Sequence, residues 1–84
     1  MVSFDVVLFD RANPSFAVVR VPDPVLEDQR MIDAIMAGAV VQLGRPVVLM
    51  GAERHETYGR EDIRKLLRYF NAARLPWMRT ELDI

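Results

Sequence analysis

The only histidine of the chain, His55, lies between two carboxylates, Glu53 and Glu56. A histidine beside carboxylates could act as a general base near neutral pH. Nucleophiles for such a base are scarce, because there is no Cys and the only serines, Ser3 and Ser15, lie near the N-terminus. We therefore interpret this stretch first as a solvated turn. His55, Glu53 and Glu56 are kept as the catalytic candidates of an alternative function, a small enzyme or enzyme accessory.

The same stretch has partial resemblances to metal and phosphate sites. His55-Glu56 begins like the H-E-x-x-H zinc pattern, but Gly59 stands where the second histidine belongs. With one His and no Cys, thiolate zinc sites, iron–sulfur sites and disulfide frameworks are excluded. Gly51 and Gly59 frame the stretch as glycines frame a phosphate loop, yet acidic residues crowd it and no complete phosphate-binding motif occurs. We predict no metal and no cofactor.

Charge along the chain is segregated, although the net charge is only -1. Residues 1–59 carry eight acids against five arginines, whereas residues 60–79 carry six basic residues against two acids. Arg60, Arg64 and Arg68 are spaced i, i+4, i+8 and would share one helix face. This basic ridge is either an ordinary solvated face or a surface for an acidic protein or a phosphate backbone. A nucleic-acid-binding module is therefore a second alternative function.

The C-terminal residues 75–84 form an apolar tail that includes Trp77. A tryptophan here either folds back to cap the core or forms an exposed anchor for a partner, since such anchors are common at interfaces. Trp77 therefore joins the three arginines as a candidate partner-binding residue.

Hydrophobic periodicity predicts the strands that must position these side chains. Val2–Phe9 and Phe16–Val21 alternate or are rich in Val, and they are close enough to form an antiparallel hairpin. Pro46–Met50 is apolar without alternation, which suits a strand covered on both faces. The polar residues 51–59 are either a loop or a short return strand.

Two amphipathic helices are predicted as well. The first begins at Asp23-Pro24, a capping residue followed by a residue suited to the first helical position. It ends at Gly44, which we favour, or at Gly38. The second helix is predicted over Glu61–Ala73. Its core face repeats at i, i+3, i+4 and i+7: Ile63, Leu66, Leu67 and Phe70.

The order β-β-α-β-(β)-α within 84 residues predicts one α+β domain, residues 1–84. Both helices are expected on one face of a three- or four-stranded sheet. A sheet this small leaves an edge strand that must be covered or paired, and pairing with a second copy of the chain is one solution.

The C-terminal half resembles the head-completion proteins of tailed phages, the gpW type. Ile35-Met36-Ala37-Gly38, then Val47-Val48-Leu49, then Thr57-Tyr58-Gly59-Arg60-Glu61-Asp62-Ile63 follow that family's order of a helix ending in Gly, a hairpin and a second helix with an acidic opening. The likeness covers about half the chain, and Val2–Val21 has no counterpart. It implies a non-enzymatic virion or prophage component that assembles with itself and a connector.

These observations favour a small non-catalytic interaction or assembly module that associates with itself or with another protein. The sheet edge or the Trp77 tail would form the contact, and the arginine ridge would face a partner. The N-terminus lacks the basic region of an export signal, and no uncharged stretch approaches the roughly 20 residues of a membrane span. We therefore expect no membrane partner and a cytoplasmic location.

Overall fold

The computed structural model describes all 84 residues, Met1–Ile84, and has a five-stranded sheet with two α-helices. The strands, in sheet order β4-β3-β2-β1-β5, are antiparallel except for the parallel pair β2–β3. Its radius of gyration, 11.6 Å, is near the roughly 12 Å expected for one domain of this length. The elements are β1 (Val2–Phe9), β2 (Phe16–Val21), α1 (Gln29–Leu43), β3 (Val47–Gly51), β4 (Thr57–Tyr58), α2 (Glu61–Leu67) and β5 (Met78–Leu82).

The sheet has a separate hydrophobic cluster on each face. Successive residues of a strand point to opposite faces, so Phe16 and its neighbour Ala17 belong to different clusters. One cluster packs under α1 and includes Ile32, Ile35 and Ala39 of that helix. The other packs under α2 and includes Ile63 and Leu67. We call these the α1 face and the α2 face.

The α+β class and the element order agree with the sequence prediction, but the placement of both helices on one face was wrong. Helix α1 is the crossover between the parallel strands β2 and β3, so it covers one face. Strand β2 is apolar on both faces apart from Arg20, and every residue of β3 is buried. The second face therefore needs a cover of its own, which α2 supplies after the β3–β4 hairpin.

Helix α1 ends at Gly44, the favoured prediction, but it begins later than the predicted Asp23-Pro24. Gly44 has a left-handed φ of 66° and its N–H donates to the Val40 carbonyl, whereas Gly38 lies inside the helix. The N-cap is Asp28, whose carboxylate accepts from the backbone N–H groups of Arg30 and Met31. The segment that starts at Asp23-Pro24 is a separate 3₁₀ turn, Asp23–Glu27.

Helix α2 is shorter than the predicted Glu61–Ala73, because the chain leaves the helix after Leu67. Phe70 does not continue the core stripe: it is 44% exposed and its ring packs edge-on against Phe9, 5.4 Å between centroids. Asn71 then starts a 3₁₀ turn, Ala72–Arg74, by accepting from the Ala73 N–H at 3.0 Å.

The sheet has more strands than the predicted three or four, because the apolar tail forms β5 against β1. Leu82, opposite Val2 in the register, is buried at 2% exposure on the α1 face. At the other edge, residues 51–59 form a turn and the two-residue strand β4, so the return strand is present but short. Neither helix has the length and apolar character required to cross a bilayer.

Candidate functional site

The β3–β4 turn that carries His55 is held in place by a carboxylate from elsewhere in the chain. Asp23 accepts hydrogen bonds from the backbone N–H groups of Glu53 and Arg54, both at 3.1 Å. The His55 N–H donates to the Gly51 carbonyl at 3.1 Å. With φ of 58°, His55 is the only non-glycine residue in a left-handed conformation. The turn therefore fixes this side chain through its backbone.

A cleft of about 330 Å³ opens on the α2 face between this turn and helix α2. We call it the basic cleft, because arginine and histidine line it and no acid does. Nine residues form its wall: Met50, His55, Thr57, Arg64, Leu67, Arg68, Phe70, Asn71 and Ala72.

Hydrogen bonds orient two of the polar side chains of the cleft. Arg64 Nε donates to Thr57 Oγ1 at 3.1 Å, which ties α2 to β4 and leaves the terminal guanidinium nitrogens available. Asn71 uses its side-chain oxygen to cap the following turn, so its amide N–H groups remain available as donors. The basic cleft therefore presents donors from the turn, α2 and the segment after it.

The structure brings three of the candidate residues together and separates the others. His55, Arg64 and Arg68 line the basic cleft, whereas Glu53 and Glu56 do not. The acid–base group suggested by the sequence is thus not assembled at this cleft, since its carboxylates lie outside the wall. Thr57 and Asn71 were missed, because nothing in their local sequence shows that they meet the arginines.

The three arginines predicted to form one ridge on the second helix differ in position and in bonding partners. Arg60 precedes α2 in an extended conformation, and its guanidinium binds the Asp62 carboxylate at 2.8 and 3.2 Å. These hydrogen bonds lower the pKa of Asp62. Only Arg64 lies within the helix, and Arg68 caps its end. The ridge therefore divides into a neutralised pair at the start and two cleft arginines.

Trp77 folds back onto the α2 face, as one of the two sequence alternatives expected. Its indole Nε1 donates to the Ala72 carbonyl at 2.8 Å, and the Arg20 guanidinium lies over the ring, 4.6 Å from its centroid. Arg20 also donates to Asp5 at 2.5 Å, and Arg79 donates to the same carboxylate at 3.3 Å. The hydrogen bond from Arg20 is the main cause that lowers the pKa of Asp5.

Strand β5, which Trp77 precedes, is an open edge of the sheet. It pairs with β1 on one side only, and the opposite edge strand β4 has only two residues. Met78 is 67% exposed, and Arg79 and Glu81 are exposed as well. This strand was not predicted, although the alternation of Met78, Thr80 and Leu82 is a signal for it.

No group of three His, Asp or Glu side chains is arranged to hold a metal ion. Comparison with known proteins adds no identification: no protein-family model, curated protein or solved structure matches this chain. The resemblance to head-completion proteins stays a prediction.

Proposed function

We propose that this chain is a small non-catalytic interaction module that associates with a second copy of itself through strand β5. The main support is the open outer edge of β5, where backbone N–H and C=O groups have no strand beside them. An antiparallel partner strand would satisfy these groups and join the two sheets.

The charges on β5 support pairing with the same strand of a second copy. When two copies pair antiparallel about Thr80, Arg79 of each stands opposite Glu81 of the other. Glu81 makes no ion pair within its own chain, whereas Arg79 and Arg20 share the single carboxylate of Asp5. That group of three has one excess positive charge, which Glu81 of the second copy would neutralise. Directly opposed charges of opposite sign stabilise a strand pair by roughly 0.2–1 kcal/mol each.

The apolar side chains of β5 support the same register. In this pairing Met78, 67% exposed in the single chain, lies opposite Leu82 of the second copy on the α1 face. Ile84, which is 39% exposed just beyond the strand, would lie beside the same contact. Burial of exposed apolar surface would therefore stabilise the dimer in addition to the backbone hydrogen bonds and the opposed charges.

Trp77 has a positioning role in this proposal. Its hydrogen bond to Ala72 and its contact with Arg20 fix the residue directly before β5. The strand is thus already ordered before a partner arrives, which lowers the entropy cost of association. Because a five-residue strand pair buries less than the roughly 1,200–2,000 Å² of a standard stable interface, we expect a weak dimer.

Sedimentation velocity over a range of protein concentrations tests the proposal. We expect the wild-type chain to pass from monomer to dimer as concentration rises, and Glu81→Arg to shift this transition to at least about tenfold higher concentration, because two like-charge contacts replace two attractive ones. Glu27→Arg makes the same charge change at an exposed residue away from β5 and should leave the transition unchanged. A strict monomer at every concentration would refute self-association.

A narrower proposal places the chain among the assembly proteins of tailed phages. Its support is the order helix–hairpin–helix, which α1, β3–β4 and α2 follow. The first helix ends at Gly44, six residues after the glycine that the resemblance requires, and β3 also pairs with β2. The genes beside this one test the proposal: capsid and tail genes are expected, and an unrelated set would argue against it.

A further inference from the structure

We propose that the basic cleft binds a small organic oxyanion, a phosphate or carboxylate carried on an apolar or aromatic body. This site is separate from the β5 edge, so the inference does not depend on self-association.

The cleft carries positive charge that no acid in its wall balances. Five of the ten arginines of the chain pair with an aspartate, and Arg64 and Arg68 are not among them. Both line the basic cleft, together with the imidazole of His55, and no carboxylate lies in its wall. Guanidinium groups bind carboxylate and phosphate oxygens through paired N–H donors. An oxyanion ligand would therefore accept hydrogen bonds from these donors and balance their charge.

The hydrogen-bond donors of the cleft converge from different elements and are partly fixed before a ligand binds. Thr57 of β4 holds Arg64 through its Nε, so the other guanidinium nitrogens are the ones left to bind a ligand. Asn71 is held by its own cap bond and keeps its amide donors. Groups fixed in this way lose little conformational entropy when they bind.

The rest of the cleft wall is apolar. Met50, Leu67 and Ala72 are buried and form its floor, while Phe70 is 44% exposed at the rim. A volume of about 330 Å³ lies within the range of small-molecule pockets and exceeds what a bare phosphate needs. The ligand should therefore carry an apolar or aromatic group that lies against Phe70.

The conformation of His55 agrees with this assignment. The left-handed region costs energy for a residue with a side chain and almost none for glycine. His55 nevertheless occupies such a position, at φ of 58°, and lines the cleft from there. A glycine would form the turn more easily but would remove a donor from the wall.

The test is a titration of the full chain, labelled with nitrogen-15, followed by NMR at constant ionic strength. The compounds are phenyl phosphate, benzoate, inorganic phosphate and the uncharged benzyl alcohol. We expect saturable shifts confined to the cleft residues with phenyl phosphate or benzoate, and the stronger of the two identifies the preferred oxyanion. Inorganic phosphate should bind at least about fivefold more weakly, since it has no group to cover the apolar floor.

Variants locate the site. Arg68→Gln should weaken binding about tenfold, because it removes a charged hydrogen-bond donor. Arg30→Gln makes the same change at an exposed position on α1, across the sheet, and should have no effect. Circular dichroism confirms that both variants are folded. Equal weakening by both, shifts spread over the surface, or no saturable shift at millimolar ligand would overturn the proposal, as would benzyl alcohol binding as well as the anions.

Discussion

The two faces of the sheet are built differently. The α1 face has a cluster of twelve buried residues under a helix of fifteen residues, and the α2 face has seven under a helix of seven. The chain end also closes the α1 face, since Gln42 exchanges two hydrogen bonds with the backbone of Asp83 at 2.7 and 2.8 Å. The α2 face keeps the basic cleft. One face therefore supplies most of the stability and the other leaves polar groups accessible.

The largest expected effect compares matched isoleucines on the two faces. Ile32 of α1 and Ile63 of α2 are both 3% exposed. Ile32→Ala should lower the free energy of unfolding by about 3–4 kcal/mol and Ile63→Ala by about 2 kcal/mol, because a cavity at the smaller cluster can collapse towards the open cleft. Urea unfolding measures both. An equal or larger loss for Ile63→Ala would contradict the division of stability between the faces.

The next prediction concerns the turn that holds His55. A Cβ at Gly51 would overlap Asp23 Oδ1, so Gly51→Ala must displace the carboxylate that fixes the turn. We expect a loss of about 1–3 kcal/mol and a shifted His55 amide signal. Gly44→Ala is the control, since its Cβ meets nothing within 4 Å and costs only about 1 kcal/mol through its left-handed φ. An unshifted His55 amide in Gly51→Ala would refute the role of Asp23.

Because of the ion pairs of the α2 face, the free energy of unfolding should depend on pH in the acid range. In the folded chain the pKa of Asp5 lies below its ordinary value of 3.8, chiefly because of the Arg20 hydrogen bond. The stabilisation is therefore complete above that value and is lost as the pH falls below it. Asp5→Asn should cost less than about 1 kcal/mol at neutral pH, since the site is partly exposed, and the difference from wild type should shrink in acid. A difference that grows in acid would contradict this.

The smallest expected effect is a small increase in stability. His55→Gly should raise the free energy of unfolding by about 0.5 kcal/mol, because glycine relieves the left-handed conformation. The same variant should weaken oxyanion binding in the NMR titration. Arg54→Gly changes the adjacent residue, which lacks a positive φ, and should lower stability instead. If both variants lower stability equally, His55 is not strained.

Local signals predicted much of this fold. The strands β1 and β2 follow from alternation and Val content, and the end of α1 follows from Gly44 two residues before Pro46. Local sequence signals could not predict which face of the sheet each helix covers. It depends on the parallel pairing of β2 with β3, a contact between segments about thirty residues apart in sequence.

The same limit applies to α2 and to the candidate site. Phe70 fits a helical stripe in sequence, but its partner is Phe9, which local pattern does not reveal. His55, Arg64 and Arg68 were recognised by type, yet their meeting in one cleft depends on the turn that Asp23 fixes from a distance. Sequence therefore identified the chemistry of these residues, while tertiary contacts determine their arrangement.

The central claim is that β5 pairs with β5 of a second copy, and a charge-exchange experiment tests it most directly. Arg79→Glu and Glu81→Arg each place like charges opposite one another in a self-pair. At concentrations where the wild-type chain is a dimer, each variant alone should therefore sediment as a monomer. When the two variants are mixed, all opposed charges become attractive, and a heterodimer should form at least as readily as the wild-type dimer. A mixture that stays monomeric at concentrations where the wild-type chain is a dimer would contradict this pairing.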